Sequence, residues 1–191
     1  MNIEGCYNVF EAARRQNVRR VVFASSNHAI GYHRREKFLD DTVQPRPDSL
    51  YGVSKVFGEA LGRMYADKYG MSVACLRIGT FRTPDRPSEA RQLLTWISHR
   101  DMAQLTARCV EHASYHFTVV YGVSNNLRNR WDNSNAKFLA MRRRTIPRCS
   151  PRKSWLRTSP RIPSPPSSTG AFIAPWNSSE PRTGFPEIRP G

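Results

Sequence analysis

The stretch RRVVFASS, residues 19–26, decides the fold of this 191-residue chain. Its β-branched and aromatic run ends in two serines, which is typical of a buried parallel strand that opens into a loop. The stretches SVACLRIG (72–79) and HFTVVYGV (116–123) have the same character. Because buried strands form nearly continuous apolar runs, the three stretches together predict a parallel sheet.

Helical segments separate these strands. An amphipathic helix is predicted over residues 2–16, with Ile3, Tyr7, Phe10 and Ala13 on one face. A second helix is predicted over residues 49–69, where Gly70 ends it. The apolar stripe of this second helix consists of Val53, Phe57, Ala60, Leu61, Met64 and Tyr65.

Two later segments complete the pattern. Ser98, followed three residues later by Asp101, predicts a capped helix that reaches residue 111. A short helix is predicted over residues 131–139. Alternating helices and strands are typical of a doubly wound parallel sheet, in which ligands bind beyond the carboxyl ends of the strands.

Polar residues cluster at those predicted strand ends. Ser26 follows the first strand, Thr80 follows the second, and Tyr51 and Lys55 begin the helix between them. Tyr51 and Lys55 are four residues apart, so both side chains leave the helix on one side. An isolated phenol is a poor base near pH 7, but an ammonium ~5 Å away at an effective dielectric of ~20 stabilises the phenolate by roughly 3 kcal/mol. Tyr51 is therefore a candidate general base, and Ser26 a candidate hydrogen-bond donor to the reacting oxygen.

Each of these motifs has a simpler interpretation when it is taken alone. A Tyr-x-x-x-Lys pair often lies on a solvated helix face, and a serine pair after a strand often caps a turn or helix. Their order along the chain, each at the end of a predicted strand or the start of a helix, is what favours an active site.

The formal charge of +15 is unevenly distributed. Residues 1–140 hold 20 Lys and Arg against 13 Asp and Glu, whereas residues 141–191 hold 10 against 2. The same 51 residues contain 10 of the 14 prolines. We therefore predict a folded domain over residues 1–139 and a basic Pro/Arg/Ser-rich tail over residues 140–191, which is disordered because it buries too little apolar surface.

Composition also excludes several classes of protein. Mean hydropathy is −0.60, and no apolar run approaches the ~18 residues that span a bilayer, so we expect a cytoplasmic protein without membrane contact. The four cysteines form no CxxC pair, which indicates reduced thiols. The five histidines lack ligand spacing, so no metal is predicted. The folded part lacks the charge of a nucleic-acid-binding domain, although a tail of this charge could bind nucleic acid or an acidic surface.

Four stretches resemble the extended short-chain dehydrogenase/reductase family, the NAD-dependent epimerase/dehydratase group. They are NIEGCYNVFEAARR, VVFASSNHAIGY, RPDSLYGVSKVFGEALGRMYADKYG and CLRIG. SSNHAIGY, LLTWISHRD and RWDNS are most similar to its uronate dehydrogenase branch. The resemblance covers residues 2–139 and implies a partial Rossmann-type sheet that lacks its first strands. It also implies NAD as cofactor, a sugar-acid substrate and a homo-oligomer.

The resemblance implies roles for the residues that match the family's motifs. Ser26, Tyr51 and Lys55 match its catalytic triad, with Tyr51 as general base and Lys55 also binding the nicotinamide ribose. Ile78 and Gly79 are implied to line the nicotinamide pocket. The parent activity is oxidation of a hexuronate, galacturonate or glucuronate, at C1 to the aldarolactone. A nucleotide-sugar epimerase or dehydratase of the same family is the alternative.

The substrate contacts implied by the resemblance are Ser26, Asn27, His28, Thr80 and Arg91. Arg91 is implied to bind the uronate carboxylate, a role that suits a guanidinium fork. Alternatively, Asn27 and His28 satisfy backbone groups of their own loop, and Arg91 is an ordinary surface residue.

Members of this family begin with a strand and a glycine-rich turn, whose amides bind the cofactor pyrophosphate. This chain has eleven glycines but no GxxGxxG after a strand. We therefore expect it to begin part-way along the fold, as an incomplete gene product or through a mis-called start, and an inactive fragment is a further alternative. DNA upstream without an in-frame glycine-rich motif would contradict this expectation.

The tail departs from the family after WDNSNAKFL. Permitted codons for residues 140–157, read one base earlier, allow Gly-Tyr followed by an acidic amphipathic helix. Met141 and Trp155, which have one codon each, both comply. A frameshift near codon 140 is therefore expected, and the nucleotide sequence of the gene tests it.

Overall fold

A computed structural model of the chain describes residues 2–112 and 115–141. Its centre is a three-stranded parallel sheet formed by β1 (Arg20–Ser26), β2 (Ser72–Ile78) and β3 (Phe117–Gly122), in that spatial order. The register places Ser26 beside Ile78 and Ile78 beside Gly122. All three strands therefore end at the same edge, and the predicted α/β fold with a parallel sheet is confirmed.

Helices cover both faces of the sheet. The α-helices are α1 (Asn2–Arg15), α2 (Leu50–Tyr69), α3 (Gln92–Thr95) and α4 (His99–Glu111), with 3₁₀ helices at Asn27–Ile30 and Ser134–Leu139. Side chains of β2 alternate between the two faces, as the period of a strand requires. Val73 and Cys75 pack with α1 and α2, whereas Ala74 and Leu76 pack with α4 and the second 3₁₀ helix.

The helix ends follow local sequence signals. Ser49 caps α2, because its Oγ accepts a hydrogen bond from the Gly52 amide at 3.1 Å. Gly70 ends the helix in the left-handed conformation with φ of 69°, which glycine adopts without a steric penalty. Ser98 caps α4 through the Asp101 amide at 3.0 Å. These three ends match the sequence prediction because a cap depends on a few adjacent residues.

The predicted apolar stripe of α2 matches its buried face only in part: Tyr65 is 2% exposed, and Leu61 packs against the same core cluster. Val53, Ala60 and Met64 are exposed, and the side toward the sheet contains glycines instead. A Cβ on Gly58 would overlap the Phe23 ring, and one on Gly62 would lie 3.0 Å from Val73 Cγ1. Small residues are needed because α2 approaches the sheet too closely for larger side chains.

The predicted helix over residues 131–139 is a 3₁₀ helix that starts at Ser134. Trp131 lies outside it, pairs with Leu39 in an isolated bridge and stacks on Tyr121 with centroids 5.2 Å apart. The predicted disordered tail lies, beyond Met141, outside the described residues. In the part of the chain that the structure describes, no helix has the length and apolar character to cross a membrane.

Candidate active site

Ser26 ends β1 at the carboxyl edge of the sheet and is 5% exposed. Its Oγ caps the first 3₁₀ helix by accepting a hydrogen bond from the His28 amide at 3.2 Å. The hydroxyl donates one long hydrogen bond, to Asn27 Oδ1 at 3.4 Å, and can rotate away from it. Ser26 is thus fixed in place by its cap and keeps a proton to donate to a ligand oxygen.

Tyr51 stands in the first turn of α2 with 45% of its surface exposed. A Cβ on Gly52 would overlap the carbonyl oxygen of His28, so a glycine lets the start of α2 approach the 3₁₀ helix. The Tyr51 and His28 rings meet edge to face with centroids 5.7 Å apart. The close approach therefore brings the phenol beside the segment that Ser26 caps.

The Lys55 ammonium joins α2 to β1. Its Nζ donates a hydrogen bond to the carbonyl oxygen of Ala24 at 2.8 Å, and it lies 5.3 Å from the centroid of the Tyr51 ring. An ammonium has three N–H donors, so two stay available for a phenolate or a ligand hydroxyl. Ser26, Tyr51 and Lys55, predicted as the catalytic residues, thus lie around one corner of the sheet.

His28 has a partner that sequence reasoning missed. Its Nδ1 lies 2.8 Å from Asp48 Oδ1 and 3.0 Å from Asp48 Oδ2, twenty residues further along the chain. In the neutral ring, donation from Nδ1 to this carboxylate leaves Nε2 as an acceptor. The pair orients the imidazole so that it can accept a hydrogen bond from a substrate hydroxyl.

A pocket of about 180 Å³ opens next to this corner. Asn27, His28, Asp48, Arg91, Thr95 and Trp131 form part of its wall. Arg91 precedes α3, its side chain is 61% exposed, and its nearest carboxylate in the described residues is Glu89 at 3.9 Å. The structure therefore brings three of the predicted substrate residues, Asn27, His28 and Arg91, into one cavity.

Thr80 reaches the pocket indirectly. Its Oγ1 hydrogen-bonds Thr95 Oγ1 at 2.8 Å, and Thr95 lines the wall. Gly79 donates its amide to Gly122 at 3.0 Å, and a Cβ there would overlap the Thr95 carbonyl. Ile78 ends β2 next to Ser26 in the register. These residues follow β2 at the same edge as the catalytic candidates.

The residues present fit one end of a dinucleotide. Tyr51 is exposed, Lys55 has spare donors and Gly79 adds no side chain, so a nicotinamide ribose has partners here. Nowhere in the 191 residues does a GxxGxxG follow a strand, so no comparable fit is found for the pyrophosphate. Among the described residues, no three His, Cys, Asp or Glu side chains are grouped to bind a metal.

A buried polar network lies beneath this corner, and sequence reasoning missed it. Arg77 and Glu59 form two parallel hydrogen bonds of 2.9 and 2.8 Å, and Ser25 donates to the same carboxylate at 2.6 Å. The side chains of Arg77 and Glu59 are 3% and 7% exposed, respectively. Burial is the largest single influence on Arg77 and lowers the pKa of the guanidinium, but the hydrogen bonds and charge interactions with Glu59 and Tyr121 together outweigh burial and raise this pKa. The network joins β1, α2 and β2 directly below the site.

The profile of the NAD dependent epimerase/dehydratase family matches residues 1–120. Uronate dehydrogenase of Agrobacterium fabrum is 49% identical over 138 residues, 72% of this chain and 51% of the relative. Uronate dehydrogenase of Pseudomonas putida is 42% identical over 138 residues, with the same two coverages. Both likenesses agree with the family resemblance found in the sequence.

A crystal structure of a mutant uronate dehydrogenase from Agrobacterium tumefaciens, complexed with NAD, is similar in fold. It is 44% identical to this chain with a TM-score of 0.73, and the match covers 76% of this chain and 54% of the other. This chain spans about half the length of the curated relatives it matches. The likeness confirms the predicted Rossmann-type architecture for the described part.

Proposed function

Since the chain belongs to the NAD dependent epimerase/dehydratase family, we propose that it supplies the catalytic and substrate-binding part of an NAD-dependent uronate dehydrogenase. The reaction is oxidation of galacturonate or glucuronate at C1 to the aldarolactone. One observation carries the proposal: Ser26, Tyr51 and Lys55 lie around one corner of the sheet beside a pocket that contains Arg91. The uronate dehydrogenase relatives support the choice of substrate.

The proton chemistry follows from the three side chains. Tyr51 accepts the proton of the C1 hydroxyl as its O–H bond breaks, and the carbonyl of the lactone forms as the C1–H bond breaks. Lys55 stabilises the phenolate form of Tyr51 through its nearby positive charge. Ser26 donates a hydrogen bond to the reacting oxygen. NAD, when bound, supplies the acceptor for the hydride that leaves C1.

Residues of the pocket orient the substrate. A guanidinium binds a carboxylate through two parallel hydrogen bonds, so Arg91 fixes the uronate end of the sugar. Asn27 and His28, which line the pocket, bind hydroxyl groups at the reacting end, and Thr80 contributes through its hydrogen bond to Thr95. A pocket of about 180 Å³ has room for a monosaccharide.

A chimera tests the proposal, in which residues 1–139 of this chain replace the matching region of the Agrobacterium fabrum relative. Formation of NADH at 340 nm is measured with galacturonate, glucuronate, UDP-galactose and UDP-glucose. We expect turnover with at least one uronate and none with the nucleotide sugars. The 191-residue chain, assayed in parallel, is expected to be inactive because it lacks the glycine-rich turn.

Three outcomes separate the alternatives. Turnover of a nucleotide sugar without uronate oxidation would assign the chain to the epimerase or dehydratase activity. Loss of all activity in a folded chimera would support a non-catalytic fragment. Activity of the 191-residue chain itself would show that the cofactor binds without a GxxGxxG turn.

A further inference from the structure

The wall of the pocket is far more basic than a single carboxylate requires. Arg34, Arg35, Lys37 and Arg130 line it together with Arg91. Asp48 is its single carboxylate, and that group is already paired with His28. Five permanent cations therefore surround a cavity of about 180 Å³.

These cations have few partners within the described residues. No carboxylate among residues 2–112 and 115–141 lies within 4.0 Å of a nitrogen of Arg34, Arg35, Lys37 or Arg130. The Arg130 guanidinium lies over the Phe38 ring, 4.8 Å from its centroid. Like charges that line one pocket repel each other, so an anion that enters the pocket stabilises the cluster.

The basic segment is held in place at both ends. The Tyr32 amide donates to the Arg46 carbonyl at 3.0 Å, and the Leu39 amide donates to the Arg130 carbonyl at 2.9 Å. Leu39 is buried and anchors the segment next to Trp131. These backbone contacts therefore hold residues 34–37 beside Arg130, although the charged ends of their side chains are exposed.

From this arrangement we propose that Arg34, Arg35 and Lys37 form a second anion subsite in the pocket, which selects sugars that carry a phosphate group. A carboxylate is satisfied by one guanidinium, whereas a phosphate monoester has about two negative charges and three acceptor oxygens. The substrate class of the site thus extends from sugar acids to sugar phosphates. This inference rests on the proposed function, because it takes the same pocket as the sugar site.

Isothermal titration of the 191-residue protein tests the subsite with glucose 6-phosphate, galacturonate and glucose as probes. We expect glucose 6-phosphate to bind at least tenfold more tightly than glucose, with an affinity that falls as salt rises. The double variant Arg34→Gln/Arg35→Gln is expected to weaken glucose 6-phosphate binding at least tenfold and galacturonate binding less than threefold. Both arginines are exposed, so the substitutions leave the core intact.

The matched control is Arg15→Gln/Arg19→Gln. It also removes two positive charges, but from exposed positions before β1, at the opposite edge of the sheet. Its affinities for glucose 6-phosphate and galacturonate are expected to stay unchanged. Equal losses in both double variants would overturn the proposal, since the effect would then be one of net charge. Glucose 6-phosphate binding no tighter than glucose would overturn it as well.

The same titration separates this inference from the proposed function. Binding of glucose 6-phosphate that depends on Arg34 and Arg35, without galacturonate binding, leaves the subsite standing and contradicts the uronate substrate. Galacturonate binding that depends on Arg91, without glucose 6-phosphate binding, supports the uronate substrate and overturns the phosphate subsite.

Discussion

Two polar clusters lie on α2, one turn apart, and they differ in what surrounds them. Glu59 lies in the buried cluster, where Arg77 and Ser25 occupy its carboxylate. Tyr51 and Lys55 lie in the exposed cluster, where the ammonium has one backbone acceptor and the phenol faces solvent. The difference indicates a division of labour: the buried cluster fixes the ends of β1, α2 and β2, and the exposed one retains free donors for a ligand.

Removal of the buried Glu59 carboxylate is expected to have the largest effect on stability among these tests. Glu59→Ala leaves Arg77 charged and unpaired in the core, and we expect a loss of about 3–5 kcal/mol in the free energy of unfolding. Urea denaturation measures it. The matched control is Asp67→Ala, which breaks the exposed Arg63–Asp67 and His116–Asp67 pairs and is expected to cost about 1 kcal/mol or less. Equal losses would contradict the distinction between buried and exposed clusters.

Alkaline pH sharpens the contrast between buried and solvated groups. Burial raises the pKa of the Cys109 thiol from 9.0 to about 11. The stability that the buried Cys109 thiol contributes is fully present below the pKa of the unfolded thiol. It is lost as pH rises toward 11, because the thiol of the unfolded state loses its proton first. Cys109 alone is expected to contribute roughly 2–3 kcal/mol to the loss between pH 8 and 11, and the buried Cys75 thiol, whose pKa is also raised by burial, adds to the loss.

Urea denaturation under reducing conditions across this pH range measures the effect. Cys109→Ala lowers stability at pH 8 by creating a cavity but removes part of the alkaline decline. An identical decline in the variant would show that Cys109 is not its source.

The contact between α2 and the 3₁₀ helix offers a smaller effect. Gly52→Ala forces a Cβ against the His28 carbonyl, and such overpacking costs about 1–3 kcal/mol. The control Gly5→Ala adds a Cβ with nothing within 4 Å, so it is expected to leave stability unchanged or to raise it slightly. Thermal unfolding compares the two variants, and a neutral Gly52→Ala would mean that this close approach is not required.

Local signals explain what the sequence could predict. Ser49, Gly70 and Ser98 mark helix ends through bonds to adjacent residues, so their positions were predictable. The capping at Ser98 still differs in detail. The Ser98 amide donates to Ser124 Oγ, and Ser124 in turn donates to Asp101. This relay depends on a residue that follows β3, 26 positions along the chain from Ser98, which no local pattern reveals.

The rest of the site depends on contacts between distant segments. Asp48 orients His28 across twenty residues, and Arg130 joins the basic segment because Leu39 pairs beside it. The prediction of the buried face of α2 from its apolar stripe was partly wrong for a related reason. Periodicity shows which residues share a face, but the glycines at 58 and 62 determine which face approaches the sheet.

The most direct test compares Tyr51→Phe with Glu59→Ala in the chimera, with NADH formation and thermal unfolding measured on both. The account predicts that Tyr51→Phe lowers kcat at least ~100-fold while stability changes by less than about 0.5 kcal/mol. Glu59→Ala is predicted to lower stability strongly, with a much smaller loss of kcat in the folded fraction. If Tyr51→Phe retains activity, or loses it only together with stability, the exposed cluster is not the proton-transfer site.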